Sequence, residues 1–337
     1  MTKGWDMKKL LRYCGLVAIA GAVLYLPNCD DDGSGPAPYT GPWKIVTSPE
    51  GLGPGALDGV FFVKPDLGYA VGCGATIIKY DGKSWKIDYF YPTGESEGAG
   101  FEDVWFNSAN DGWVVGNWGD GKLQKGLIMH YDGVKWREVE NIPGSVWWEC
   151  VFFLDKNNGW VGGYGISRWD GSKWHSESDV GFITALFFNS PTDGWAVSKY
   201  SESIYHYDGM TWTRVHDDPW GIELYSVWFT SPERGWAGGS EAKAVDQSNI
   251  MEYKNGKWRY YLGPNWEEGI KRDVYGLHFS GDNNGWAVGQ TTYRWDGDNW
   301  LLVKPPGRRG MIYDVFTISE NDAWAVGDGR TIFHYEP

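Results

Sequence analysis

Cysteine is scarce in this chain, with four in 337 residues. Cys14 and Cys29 fall near the N-terminus, so only Cys73 and Cys150 remain for the rest. Two isolated thiols build no disulfide framework, and two buried free thiols are the expected state. Long apolar runs are lacking as well. The stretch "GLVAIAGAVLYL" is twelve residues, 15–26, and a membrane-spanning helix takes about 20. Positive charge is in deficit: 30 Lys and Arg stand against 44 Asp and Glu, for a net charge of −14. Without a basic cluster there is no face to neutralise phosphates, which excludes nucleic acid as a partner. The sequence holds no G-x-S-x-G, H-E-x-x-H, P-loop glycine pattern or C-x-x-C, so no familiar catalytic, metal or cofactor motif is present. No cofactor and no metal site are expected.

What is present begins with a leader. Lys8, Lys9 and Arg12 precede the apolar run, the order of a signal peptide. The run ends in "LPNC", which resembles the bacterial lipobox. Leu26 and Cys29 match it, and Asn28 departs from the usual small residue. The resemblance implies cleavage before Cys29 and lipidation of that cysteine. Residues 1–28 are then a lipoprotein signal peptide. Residues 29–41, "CDDDGSGPAPYTG", form an acidic linker rich in Gly and Pro. The expected location is extracytoplasmic, on the cell envelope, held to a membrane by lipid. Loss of Lys3, Lys8, Lys9, Arg12 and Asp6 takes the net charge from −14 to −17, which favours solubility.

The remaining 42–337 are rich in Trp (23 in the chain) and Gly (48), as suits short strands joined by tight turns. Three phrases recur there. The first is "DGVFF", "EDVWF", "ECVFF", "TALFF", "YSVWF", "YGLHF" and "YDVFT". The second pairs Gly or Ala with an aromatic: Tyr69, Trp113, Trp160, Trp195, Trp236, Trp286 and Trp324, at steps of 35–50 residues. The third is of the type "YDGKSW". Each unit reads as four strands, a to d, with Asn-Gly and Asp-Gly supplying the positive φ of tight hairpins. Repeats of this size predict a seven-bladed β-propeller of four-stranded antiparallel blades. The column Gly59, Asp103, Cys150, Ala185, Ser226, Gly276, Asp314 is small or short, as crowding around an axis requires. The seventh unit stops at Tyr335-Glu336-Pro337 without a strand d, while "GPWKIV" (41–46) resembles "KSWKID" (83–88). The N-terminal strand is therefore expected to complete the last blade, in a single monomeric propeller.

The combination "GWAVG…I…YDGxxW" resembles the BNR/Asp-box-like propellers, including the photosystem II assembly-factor type. The box here is one residue shorter, Asp-Gly-x-x-Trp, and the WD40 and kelch signatures do not recur in register. The resemblance implies the propeller fold. Its members include glycosidases, assembly factors and binding proteins.

His130, His206 and His334 share one column of strand c and read as solvated positions. The Asp of each "YDG" phrase reads as a turn organiser. Length varies in the d–a and b–c loops, where recognition usually resides. Five Trp residues are not required by the repeat: Trp118, Trp147, Trp148, Trp220 and Trp266. With Glu149, and with Arg308, Arg309 and Tyr313 in a nearby loop, they are the candidate binding residues. Aromatics beside carboxylates suit a protein partner or a glycan. The preferred reading is non-enzymatic binding through the d–a/b–c face. The alternative is a glycan-active hydrolase or lyase of the BNR/sialidase-like class. Arg, Tyr and acid converging at the channel mouth would favour the enzyme.

Overall fold

A computed structural model describes residues 42–91, 98–119, 124–140, 142–144, 146–200, 203–217, 221–240, 248–263, 270–307 and 310–337. The leader, the linker and Cys29 lie outside the described residues. Seven antiparallel sheets stand around a central channel. In blade 1 the strands run a (Leu57–Lys64), b (Leu67–Gly72), c (Thr76–Tyr80) and d (Trp85–Phe90). The other blades repeat this order from the axis outward.

Blade 7 takes its a, b and c strands from Ile312–Ser319, Asp322–Gly327 and Thr331–Tyr335, and its d strand from Trp43–Val46. Trp43 faces Tyr335 and Val46 faces Ile332 in this closing pair. The Trp43 indole stands edge-on to Trp286 of blade 6 at 4.8 Å. The ring therefore closes as its two split halves predicted, and closure leaves no exposed inner edge. Blade 3 departs from the pattern. Its b and c strands merge in one element, Asn158–Trp169, whose first half pairs with Trp148–Asp155 and second half with Trp174–Phe182. The chain doubles back within it near Gly165 (φ 92°). Arg168 lies 5.6 Å from the Trp160 ring, whereas eight residues of straight strand would span about 26 Å.

The recurring phrases are packing instructions. The last letter of phrase one is Phe in six blades: Phe62, Phe106, Phe153, Phe188, Phe229 and Phe279. Each is clasped by the strand-b aromatic of the preceding blade. Trp160 stacks on Phe188 at 3.6 Å, Tyr69 on Phe106 at 4.1 Å, and Trp195 on Phe229 at 4.8 Å. Such pairs add about 0.5–1.5 kcal/mol each beyond area burial. The Gly before each strand-b aromatic has the same cause, because the Phe of its own blade lies across it. A Cβ at Gly194 would meet the Phe188 ring at 2.3 Å. Blade 7 carries Thr317 in place of Phe, and there the Gly is Ala323, its cross-strand partner.

Each "YDG" Asp organises its turn, as Asp81 does by accepting the backbone N–H groups of Lys83 (3.1 Å) and Ser84 (2.9 Å). The strand-c histidines differ from expectation, for they are half-buried and partnered. His130, His206 and His334 lie over Trp113, Trp195 and Trp324 at 4.2, 4.5 and 3.9 Å. Their Nε2 atoms lie 2.8, 2.8 and 2.9 Å from Asp111, Asp193 and Asp322. A strand-c side chain leans across its cross-strand neighbour, and here that neighbour is the large strand-b aromatic. Cys73 and Cys150 are buried free thiols.

Candidate functional site

The channel is built from the seven a strands, and the five letters of phrase one set its layers. The second letter is the small column. A Cβ at Gly276 would come within 2.9 Å of the Asp314 backbone in the next blade, so the crowding is real. Where this position is polar it pins neighbouring blades. Asp103 accepts from Val104 N (2.7 Å) and from Val151 N of blade 3 (2.9 Å). Asp314 accepts from Val315 N (2.8 Å) and Val60 N of blade 1 (2.8 Å). Burial pushes both carboxyls up to about 7, against the pull of those backbone N–H groups.

Two residues further along each strand lies a collar of seven aromatics: Phe61, Trp105, Phe152, Phe187, Trp228, His278 and Phe316. Each touches the next, with ring centroids 4.1–5.3 Å apart all the way round. His278 takes its place as a neutral ring. Burial lowers its pKa to about 3, and its Nδ1 accepts the N–H of Thr317 at 3.1 Å.

The first letter lies at the channel mouth on the d–a/b–c face. In six blades a register shift opens strand a at this residue: Asp58, Glu102, Glu149, Tyr225, Tyr275 and Tyr313. A β-bulge leaves one residue unpaired and re-aims its side chain, and all six line the central cavity of about 240 Å³. The mouth is two-sided. Blades 1 to 3 supply three carboxyls, and blades 5 to 7 supply three tyrosines, with Tyr225–Tyr275 at 4.9 Å and Tyr275–Tyr313 at 5.7 Å.

Between the two halves lies Lys199, from the end of strand b in blade 4. It is 8% exposed. Its Nζ is 3.3 Å from Glu149 and 4.9, 5.2 and 5.9 Å from the rings of Phe182, Tyr200 and Tyr225. Carboxyl protonation is favoured across from it. Burial first, then the charge of Glu149, pushes Glu102 up to about 8, with Lys199 and the Asn117 amide (3.0 Å) opposing. Asp58 is raised well above the usual range, by burial first and then by Glu102. Among the described residues no group of His, Cys, Asp or Glu is placed to hold a metal ion.

Of the residues picked from sequence, Glu149 and Tyr313 stand at the mouth. Trp147 stands beside them, donating its indole N–H to Glu149 at 3.1 Å. Tyr313 donates to Asp328 at 2.9 Å. Trp148 is elsewhere: it faces Gly163 within blade 3 and is 1% exposed, buried against Trp113 and Val115 of blade 2. It packs the core and has no surface to offer a ligand. Trp118 is half-buried on strand b of blade 2 (Asp111–Gly119), packed on the apolar cluster around Phe101, outside the cavity. Trp220, Trp266, Arg308 and Arg309 lie outside the described residues. Sequence reasoning missed Asp58, Glu102, Lys199, Tyr225, Tyr275 and the collar. For all of these but Lys199 the signal was in the first and fourth letters of phrase one, which read D, E, E, T, Y, Y, Y and F, W, F, F, W, H, F around the ring.

No protein-family model matches the sequence, and no curated protein does. Solved structures do. The chain is similar to YCF48 bound to D1 peptide, at TM-score 0.67 and 20% identity over 90% of this chain and 99% of that one. It is similar to YCF48 from Cyanidioschyzon merolae, at TM-score 0.61 and 17% identity, over 88% and 99%. The WD40 β-propeller domain of Doa1 follows at TM-score 0.65 and 14% identity, over 88% and 97%. Together with the seven sheets and the closing strand, these likenesses establish the chain as a seven-bladed β-propeller.

Proposed function

We propose that this chain is a lipid-anchored, extracytoplasmic binding protein of the BNR/Asp-box-like propeller type. It holds a segment of a protein partner on its d–a/b–c face, over the channel mouth. The observation that carries this reading is the two-sided mouth on an otherwise repetitive scaffold. Its rim supports it: Tyr164 (48% exposed) and Tyr200 (58%) present apolar surface beside the carboxyls. Tyr164 and Tyr200 flank Phe182 at 4.8 and 5.1 Å. Aromatics that frame a pocket are the usual anchors of recognition. The peptide seen on YCF48 supports a peptide as the ligand type. The cavity of about 240 Å³ is below the ~300–1,000 Å³ of small-molecule sites, and suits one inserted side chain better than a run of sugars. The anchor is supported by "LPNC" alone.

Photo-crosslinking in the native envelope tests the face. A crosslinking amino acid at Tyr164 or Tyr200 is expected to capture one protein. The same group at Val134 or Met210, exposed in c–d turns on the opposite face, is expected to capture none. Equal capture from both faces, or none from Tyr164 and Tyr200, overturns the reading. For the anchor, Cys29→Ser is expected to release the protein from membranes. Retention after a carbonate wash rules out lipid at Cys29 as the tether.

One observation favours the second reading, a glycan-active hydrolase. Glu102 is pushed up to about 8 beside Glu149, and glycosidases use one protonated and one ionised carboxyl. No arginine lines the cavity among the described residues. Release of nitrophenol from a panel of nitrophenyl glycosides, abolished by Glu102→Gln, would establish this reading in place of the first.

A further inference from the structure

The mouth already holds a cation. Lys199 is nearly enclosed, and it has the two kinds of partner that an organic cation seeks. One is a carboxylate, Glu149 at 3.3 Å. The other is a set of aromatic faces, Phe182, Tyr200 and Tyr225, at 4.9–5.9 Å, within the reach of cation–π attraction. This arrangement is local to blades 3 to 5. The rest of the mouth repeats the same chemistry. Asp58 and Glu102 stand on blades 1 and 2, and Tyr275 and Tyr313 on blades 6 and 7, around the same cavity.

We infer that the channel mouth receives a basic side chain of the partner segment, its guanidinium or ammonium group lodged between Asp58 and Glu102 and the faces of Tyr275 and Tyr313. The inference rests on the binding reading above and names the chemistry of its ligand. Three observations carry it. First, Lys199 shows that a stemmed ammonium fits this lining. Second, the lining is acidic: among the described residues the mouth holds three carboxyls and one ammonium, in a chain of net charge −14. Third, the carboxyls do not converge as a chelate, so the fitting cation is an extended organic one. The exposed rim of Tyr164 and Tyr200 would hold the residues flanking the basic one.

The carboxyls also give the event a signature. Asp58 faces Glu102, Cys73, Glu149 and Asp328, and Glu102 faces Glu149, Cys73 and Lys199. Both are raised, Glu102 to about 8, so near neutral pH Glu102 holds a proton that an entering cation displaces. Binding at this place releases protons, and binding on the rim alone releases none.

Agmatine, a guanidinium and an ammonium joined by a four-carbon stem, is the probe, with uncharged N-butylurea as its counterpart. Calorimetry at pH 7.5 in two buffers of different ionisation enthalpy is expected to show saturable agmatine binding whose heat differs between buffers. N-butylurea is expected to give none. Asp58→Asn with Glu102→Gln is expected to weaken agmatine binding by roughly tenfold or more. No saturable heat, equal binding of N-butylurea, buffer-independent heat or undiminished binding to the double variant each overturns the inference. The first three outcomes need no variant, so a variant that fails to fold does not shield it. Photo-capture from Tyr164 or Tyr200 that persists in the double variant would leave the binding reading standing while this inference falls.

Discussion

The aromatic collar and the mouth above it come from the same seven strands, three letters apart in the same phrase. The collar is nearly sevenfold: six aromatic hydrocarbons or indoles and one neutral imidazole, each touching the next. The mouth is split, acid on one side and tyrosine on the other. The difference teaches where packing dictates the residue. At the collar, seven rings must fill one cross-section, each in contact with the next, so the position demands a ring. At the bulge, the side chain leaves the sheet's packing and faces the cavity, so charge and hydroxyls are tolerated and can differ from blade to blade.

The most severe way to break this comparison is to remove residues 42–46. Blade 7 would lose its d strand and the cover over Trp286, and the a strand that carries Tyr313 and Phe316 would lose the closure that holds its blade in the ring. The expected cost is several kcal/mol, comparable to a domain stability of roughly 5–15. Denaturant unfolding should show loss of a cooperative fold, and an unchanged midpoint would refute closure.

A finer cut separates the two rings directly. Trp228→Ala empties a collar position between Phe187 and His278 and is expected to cost about 3–5 kcal/mol. Tyr275→Ala at the mouth is expected to cost below about 1 kcal/mol. Comparable losses by chemical denaturation would mean that the mouth is core and not a site.

The clasp between blades offers a third test. Gly194→Ala drives a Cβ into Phe188 and is expected to destabilise by about 1–3 kcal/mol. Ala323→Gly, opposite Thr317, relieves nothing and is expected to cost about 0.5–1 kcal/mol, the backbone entropy of glycine. A tolerated Gly194→Ala would break the stated reason for the repeat.

The smallest effect is one of pH. Glu102 sits near 8 and Asp103 and Asp314 near 7 in the fold, against 4.5 and 3.8 ordinarily. The native state holds protons that the unfolded chain has already lost, so stability falls as pH rises from about 6.5 to 8. His278 has the opposite sign: lowered from 6.5 to about 3, it subtracts stability only as pH falls below about 6.5. Melting temperature is therefore expected to drop by a few degrees between pH 6.5 and 8. Glu102→Gln should flatten that slope. A slope identical to the parent's would show that Glu102 does not titrate there.

How legible was all this? Architecture was legible down to Trp43 completing the blade of Tyr335, because a repeat read seven times averages out local noise; the merged b and c strands of blade 3 were not. The turn role of Asp81 and its counterparts was legible too, since an Asx turn is local. Trp148 was misplaced because counting Trp residues outside the repeat says nothing about which side of a strand each one faces. The histidines of strand c were read as solvated because their cross-strand partners, the strand-b aromatics, reach further than an average neighbour. Lys199 gave no signal at all, since its Glu149 and Tyr225 partners lie on other blades.

By itself, the sequence determined the number of blades, the order of strands and the closure. Each of these follows from side-chain size and turn chemistry within one or two units. Only the tertiary structure decided what the first and fourth letters of phrase one mean. A ring is a relation among seven strands separated by 35–50 residues each, and the bulge that turns Asp58 and Tyr275 toward the axis breaks the two-residue alternation from which a strand's facing is read.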